Sequence, residues 1–456
     1  MPRKISSSPV PIILVKHTEY KTWLKQQPEH IANWLTASYF TAKADSHSLL
    51  PDDEGGISAV LVVTGDKIGH WAIAGLPDKL PEGTYRLETR VDAATADALM
   101  LGWLMGSYRF TRYKKEAKKL PILLAPKNAD ASHVQAMAEA ISQARDLTNT
   151  PANDMGPAEL ADACRQVAGH YDADYDEIVG EDLLKKNYPA IYEVGKASTR
   201  PPRLIDLRWG SKRHPKVTLV GKGVCFDSGG LDIKTSSGMR LMKKDMAGGA
   251  CMLALARVIM SAGLKVRLRL LIPAVENSIS GNAYRPLDII RTRKGLNVEI
   301  GNTDAEGRII LCDALCEADS EKPDLLIDCA TLTGAARTAL GTEIAALFTP
   351  DDELAAALLR HAAGEDDAMW RLPLWEGYRD MLKSQVSDIN SAPDSPYAGA
   401  ITAALYLKEF VTETRSWAHI DMMAWNLKTR PGRPVGAEAM AVRALYAFIK
   451  EKFTGK

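Results

Sequence analysis

The chain has 456 residues, 46% hydrophobic and 25% charged, with Lys plus Arg equal to Asp plus Glu at 57 each, which asks for two domains of an ordinary soluble class rather than one small core. Zero net charge gives no global field toward nucleic acid or anionic membrane, and no uncharged apolar run approaches the roughly 20 residues that span a bilayer. Six scattered cysteines (Cys164, Cys225, Cys251, Cys312, Cys316, Cys329) form no CxxC pair, which argues against a zinc ribbon or a disulfide framework and for reduced thiols in a cytoplasmic protein.

Arg3 and Lys4 precede an apolar run, Val10 to Val15, that holds Pro11 and stops at Lys16 with no small-residue cleavage pattern, so no signal peptide is expected. Pro11 to Lys16 and Ala59 to Thr64 read as strands, separated by an acidic loop at Pro51 to Gly56. Val91 to Tyr108 reads as a helix with Ala94, Leu99, Leu101 and Leu104 apolar, and Pro121 to Ala125 as a short buried strand. Arg109 to Lys119 is the one basic run (Arg109, Arg112, Lys114, Lys115, Lys118, Lys119). Such a run is usually a solvated helix face, with a phosphate backbone as the alternative partner. Asp130 to Leu147 is an amphipathic helix capped by Asp130 or Ser132 and ended by Asn149, Thr150 and Pro151; it reads as a linker over about 130–150.

Beyond it strands and helices alternate. Strands are expected at Leu204 to Leu207, Val217 to Val224, Val266 to Ile272, Asn297 to Gly301, Leu325 to Cys329 and Trp417 to Met422. Helices are expected from Ala247 to Ala262, from Ile309 to Asp319, from Thr402 to Val411 and from Glu438 to Lys450. That rhythm predicts an α/β protein: a small N-terminal α/β domain over 1–140, then a larger catalytic domain over 141–456 with a central, mostly parallel twisted sheet flanked by helices.

The chemistry concentrates in three stretches. Asn302 to Arg308 reads NTDAEGR, with Asp304, Glu306 and Arg308 where an apolar alternating run (Leu296, Val298, Ile300) hands over to a helix. In an open α/β sheet that edge is where sites are built. Gly221 to Gly230 reads GKGVCFDSGG and offers Lys222 and Asp227, with Lys234 four residues further on; Asp245 stands in MKKDMAGG ahead of the Ala247 helix. Each has a plain reading, as an exposed lysine, an N-cap or a solvated helix start. Together, Asp227, Asp245, Asp304 and Glu306 carry four negative charges that two dications would neutralise, and without metal they would raise one another's pKa. No histidine falls inside these stretches, so oxygen ligation suits a catalytic pair of ions rather than a structural zinc. Lys234 and Arg308 are surplus positive charge, available to an oxyanion and an anionic partner.

GKGVCFDSGG, MKKDMAGG, NTDAEGR and DCATLTGA (Asp328 to Ala335), with YAGAITAALYLKEF and WAHIDMMAW downstream, resemble the signature set of the leucyl aminopeptidase family of dinuclear metallopeptidases. The resemblance covers roughly Arg145 to the C-terminus. It implies two divalent metal ions, zinc or manganese. One would be held by Asp227, Asp304 and Glu306, the other by Lys222, Asp227, Asp245 and Glu306, with Lys222 a neutral amine. It further implies Lys234 at the tetrahedral oxyanion, Arg308 holding a bicarbonate as general base, and the free α-amine of a peptide beside Asp245. Met242, Thr331 and Gly334 would line the pocket for the first side chain, and the assembly would be a homohexamer. The expected substrate is a peptide with a free N-terminus, with leucine or another apolar residue first. Val224 and Cys225 stand where Ile-Thr is usual, and Cys225 reads as a small buried thiol, with a metal ligand or redox switch as the alternative. Met422 and Met423 replace the small residues common after HID, and the tail Gly432 to Ala439 diverges. The competing classes are a two-metal phosphoesterase and a nucleic-acid-binding role through Arg109 to Lys119.

Overall fold

The computed structural model describes residues 8–114 and 118–455; Arg3, Lys4 and Lys115 of the basic stretches lie outside them. The chain divides into two compact units, one of Met1–Ser142 with Lys428–Val435 and one of Gln143–Leu427 with Gly436–Lys456. Among the described residues no helix is long and apolar enough to cross a membrane.

The first unit is built on a five-stranded sheet: β1 (Val10–Lys16), β2 (Ser46–Pro51), β3 (Ile57–Thr64), β4 (Thr84–Leu87) and β5 (Ile122–Leu123), in the order β2-β3-β1-β4-β5. Only the β2–β3 pair is antiparallel. Val10, Ile12 and Leu14 alternate onto one face of β1 and pack with Leu99 and Trp103 of helix α1 (Ala93–Ser107). Helix α1 starts where Asp92 accepts the Thr95 N–H at 2.8 Å. The strand expected to be buried at Pro121 to Ala125 is instead the two-residue edge strand β5, with Ile122 62% exposed. An edge strand has a neighbour on one side only, and its apolar residues need not be covered.

Helix α2 (Ala131–Asn149) begins at Asp130, whose carboxylate accepts the His133 N–H at 3.2 Å. The division between the units falls within it, after Ser142.

The second unit is built on a nine-stranded sheet of β6 (Asp174–Val179), β7 (Arg203–Trp209), β8 (Lys216–Gly221), β9 (Gly223–Asp227), β10 (Arg267–Asn277), β13 (Leu325–Ala330), β14 (Ala345–Phe348), β15 (Met369–Arg371) and β17 (Trp417–Asp421). A separate three-stranded sheet holds β11 (Ile289–Arg291), β12 (Asn297–Glu299) and β16 (Ile389–Asn390). The run β17-β13-β8-β10 is parallel throughout, and β13 is buried at every residue, as strands covered on both faces must be. The flanks turn antiparallel at β7–β10, β6–β7 and β14–β17.

Three sequence expectations are corrected here, and the first two matter for the site. The single strand expected at Val217 to Val224 is two strands with Lys222 between them. The register pairs Val220 with Leu271 and Gly223 with Ala274, so Lys222 falls opposite Pro273, whose missing N–H interrupts the ladder. The Lys222 N–H turns to Cys329 O on β13 at 3.0 Å. The strand before NTDAEGR, in turn, is β12 of the small sheet, so not all the acidic stretches follow strands of one sheet. The closing helix begins at Val442 rather than Glu438, because the Glu438 carboxylate is taken by Arg145 at 3.0 Å and Asn426 at 2.7 Å.

Candidate metal centre

Four chain segments converge at the carboxyl ends of β8, β9 and β13. Asp227 closes β9. Asp245 lies in a short 3-10 turn, Met242–Met246, that runs into helix α3 (Ala247–Ser261). Asp304 lies in the 3-10 turn Thr303–Ala305, and Glu306 is the first residue of helix α4 (Glu306–Ser320). Helix α5 (Gly334–Leu340) follows the loop after β13. Lys222, Asp227, Lys234, Met242, Asp245, Asp304, Glu306, Thr331 and Gly334, all singled out from the sequence, line one cavity of about 70 Å³. Arg308 does not line it. Its guanidinium is buried and donates to Ser391 O at 2.7 Å, while its Nε has no hydrogen-bond partner among the described residues.

Two of the carboxylates are held from behind. Asp227 Oδ1 accepts the Gly229 N–H and the Asn277 side-chain amide, both at 2.8 Å. Asp245 Oδ1 accepts the Thr331 hydroxyl at 2.7 Å. Gly229 and Gly230 adopt φ of +89° and +66°, a left-handed turn that bends the loop back after Asp227 and suits glycine. Thr303 locks that loop to the next segment: its hydroxyl donates to Gly229 O at 2.7 Å, and its N–H donates to Asp232 at 2.8 Å. Tyr284 donates to Thr303 O at 2.6 Å from beneath.

Both site lysines are ion-paired. Lys222 Nζ lies 2.7 Å from Asp245, 2.8 Å from Glu306 and 3.1 Å from Thr331 O. Lys234 Nζ lies 2.8 Å from Asp227 and also meets Asp304. Burial opposes the charge on Lys222, but Asp245, Glu306 and Asp227 outweigh it and hold its pKa above the ordinary lysine value. Lys234 is raised in the same way, burial being overcome by Asp227 and Glu306. Burial and then Asp227 push Asp304 up to about 6 and Glu306 well above the glutamate range. Asp245 runs the other way, because Lys222 outweighs the cost of its burial. Two paired lysines against four carboxylates leave a surplus of negative charge among these six groups, and Glu306 and Asp304 are where the charged form is most disfavoured.

That surplus, and the geometry, fit a divalent cation. Carboxylate oxygens of Asp227, Asp245 and Glu306 all lie within 4.8 Å of one another, and Glu306 Oε2 is buried with no hydrogen-bond partner among the described residues. Converging oxygens without imidazole are the donor set of a hard or borderline dication. Asp304 is set apart from this trio, a third exposed and turned to Lys234. Gly307 keeps room for Lys222: a Cβ there would lie 2.5 Å from Lys222 Cε.

Sequence reasoning missed Asn277, Tyr284, Asp232 and Thr303 as supports. Asn277 reaches the site only because β10 pairs it directly with Asp227, a relation that no local pattern carries. It also missed Lys244, Arg337, Met422 and Met423 as cavity walls. Burial pushes the Lys244 amine down to about 8, with Asp245 pulling the other way. Cys225 is buried among core residues. In the basic run, Arg109 pairs with Asp78, and Lys119 lies 3.5 Å from Glu82.

Comparison with known proteins agrees with this geometry. Residues 142–446 match the model of the cytosol aminopeptidase family, catalytic domain, and residues 10–126 match that of the M17 aminopeptidase, N-terminal domain. A probable cytosol aminopeptidase of Geobacter sp. (strain M21) is 39% identical over 386 residues, 81% of this chain and 78% of that protein. The crystal structure of a cytosol aminopeptidase from Coxiella burnetii superposes with a TM-score of 0.94 at 47% identity, covering 99% of this chain and 98% of that one. The bottromycin maturation enzyme BotP in complex with Mn superposes at 0.87 with 32% identity, covering 98% of this chain and 100% of that one. With both halves matched and a carboxylate cluster built at the carboxyl ends of the central strands, the chain belongs to the cytosol aminopeptidase family of metallo-exopeptidases.

Proposed function

We propose that this aminopeptidase removes the first residue of a peptide with a free N-terminus at a pair of divalent ions, zinc or manganese, held by Lys222, Asp227, Asp245, Asp304 and Glu306. The observation that carries the reading is the convergence of Asp227, Asp245 and Glu306 oxygens around a buried, partnerless Glu306 Oε2. When bound, such ions supply Lewis acidity, lowering the pKa of a water and polarising the scissile carbonyl. The chain supplies the rest. Asp227 and Glu306 would contribute ligands to both ions. Lys222 must give up a proton from Nζ to act as a ligand, against the hold of Asp245 and Glu306. Asp245, with one oxygen fixed by Thr331, accepts hydrogen bonds from the substrate α-amine. Lys234 Nζ places an ammonium where charge develops on the carbonyl oxygen. Arg308 holds a bicarbonate as general base; its buried, unpartnered Nε supports an acceptor there. Met242, Met422 and Met423 beside Thr331 and Gly334 support leucine or another apolar first residue. The working form is a homohexamer in the cytoplasm, a setting supported by six unpaired cysteines.

The test uses metal-stripped enzyme against Leu-amide and N-acetyl-Leu-amide, with zinc, manganese or cobalt added back. Activity should return with metal and only for the free amine, because acetylation delocalises the lone pair that anchors the substrate. Normal cleavage by fully metal-free protein, or comparable kcat/KM for the blocked amide, overturns the reading.

A further inference from the structure

Asp421 closes β17 and is 2% exposed, yet it does not line the cavity. A carboxylate taken out of water is costly unless donors meet its oxygens, and here the donors come from one short stretch. Oδ1 accepts the N–H groups of Leu332 and Thr333 at 2.9 and 3.2 Å, and Oδ2 accepts the Thr333 hydroxyl at 2.6 Å. The Thr333 oxygen in turn accepts the Ala336 N–H at 3.0 Å, so the same contact caps α5. Two residues back on the same face of β17, His419 lies 2.5 Å from Asp328 with both side chains fully buried, which ties β17 to β13 beneath Asp421.

The stretch so held is the one that turns from β13 into the cavity. Its first residue, Thr331, gives its hydroxyl to Asp245 at 2.7 Å and offers its carbonyl to Lys222 Nζ at 3.1 Å, while Leu332 and Thr333 line the wall. Thr331 is therefore fixed on both sides. Before it, Ala330 O accepts the Met422 N–H at 2.9 Å; after it, Leu332 and Thr333 are on Asp421. Carboxylates fasten loops elsewhere in this fold too: Asp319 accepts the N–H groups of Thr412, Glu413 and Thr414 at 2.8, 2.9 and 2.8 Å. No residue of that loop lines the cavity. The loop on Asp421 carries the group that touches both Asp245 and Lys222.

We propose that Asp421 is a positioning residue for the metal centre, acting through residues 331–333 to hold Lys222 and Asp245, and with them the anchor of the substrate α-amine. The part that concerns the amine rests on the aminopeptidase reading; the part that concerns the metal rests on the carboxylate cluster alone. Displacing such groups by a fraction of a bond length is enough to spoil a reacting geometry.

The experiment titrates manganese into metal-stripped wild type, Asp421→Ala, Asp421→Asn and Asp319→Ala by calorimetry. It then measures kcat and KM of the manganese-loaded proteins for Leu-p-nitroanilide. Alanine at 421 removes every acceptor, and manganese affinity is expected to fall by about 10–100-fold, as for other partners that stand behind metal ligands. KM should rise more than kcat falls, because the amine anchor acts on bound substrate and transition state alike. Asparagine keeps an oxygen for the two N–H groups and should restore most of both. Asp319→Ala loses a fastening of the same kind, so it should lower Tm and leave manganese affinity and KM unchanged. Asp421→Ser, which leaves room for a water between strand and loop, replaces the alanine variant should that fail to fold. A variant at 421 that melts lower but binds manganese and substrate as the wild type does makes Asp421 a structural fastening only and overturns the proposal. An equal loss of manganese affinity in Asp319→Ala overturns it as well. A wild type that takes up manganese but cleaves no Leu-p-nitroanilide overturns the aminopeptidase reading, and the calorimetric comparison still decides the role of Asp421.

Discussion

Lys234 and Asp304 face each other in an ion pair, yet their removal should have opposite signatures. Lys234→Ala takes away an ammonium that is most useful when charge appears on the substrate oxygen, so kcat should fall by about 10²–10³-fold while metal content stays stoichiometric. Asp304→Asn removes the charge of a proposed ligand and should lose metal before it loses anything else. Elemental analysis beside steady-state kinetics separates the two; near wild-type turnover in a metal-replete Lys234→Ala would remove Lys234 from the chemistry. Arg308 is a different case, since it stands behind the cavity with one guanidinium nitrogen on Ser391 O. Its planar fork is suited to a small carboxylate-like anion. Arg308→Ala should abolish the stimulation of activity by added bicarbonate, and a stimulation curve equal to the wild type's would assign the base elsewhere.

At the scale of elements, the site depends on places where regular structure is interrupted. Lys222 can aim at Asp245 and Glu306 because the ladder breaks opposite Pro273, and it has room because Gly307, in the first turn of α4, has no side chain. Alanine at Gly307 would favour the helix by up to about 1 kcal/mol on propensity alone. Its Cβ would nevertheless lie 2.6 Å from Lys222 Nζ and force the amine aside. Gly307→Ala is therefore expected to weaken metal affinity by about 10–100-fold without a matching fall in thermal stability. Metal titration followed by a melting curve checks both halves, and unchanged affinity would mean that Lys222 is not a ligand. The supports behind the carboxylates show the same division of labour. Asn277, Thr303 and Asp232 do not line the cavity, but they fix the Asp227 loop against the turn that carries Asp304.

For the whole molecule, the consequence is linkage between metal and stability. Buried carboxylates are held together at the meeting point of β9, α3 and α4, and their mutual repulsion is relieved by any cation that binds the folded state alone. Saturating zinc or manganese should raise Tm, on the order of 10 °C at ligand far above Kd, and chelation should reverse it. Asp245→Asn should reduce the increment; an increment equal to the wild type's would place the stabilising ion elsewhere. Several features were legible from the chain alone. Apolar alternation marked the strands, helical periodicity marked α1, α2 and α3 to within a few residues, and the acidic stretches marked themselves by residue type and local spacing. These are short-range properties, encoded within one or two turns or strands. The break at Lys222, the edge position of β5 and the arrival of Asn277 beside Asp227 depend on which strand lies next to which. So does the withdrawal of Arg308 from the cavity. Pairing register and burial are set by neighbours that are distant in the chain, and only the tertiary structure brings them together.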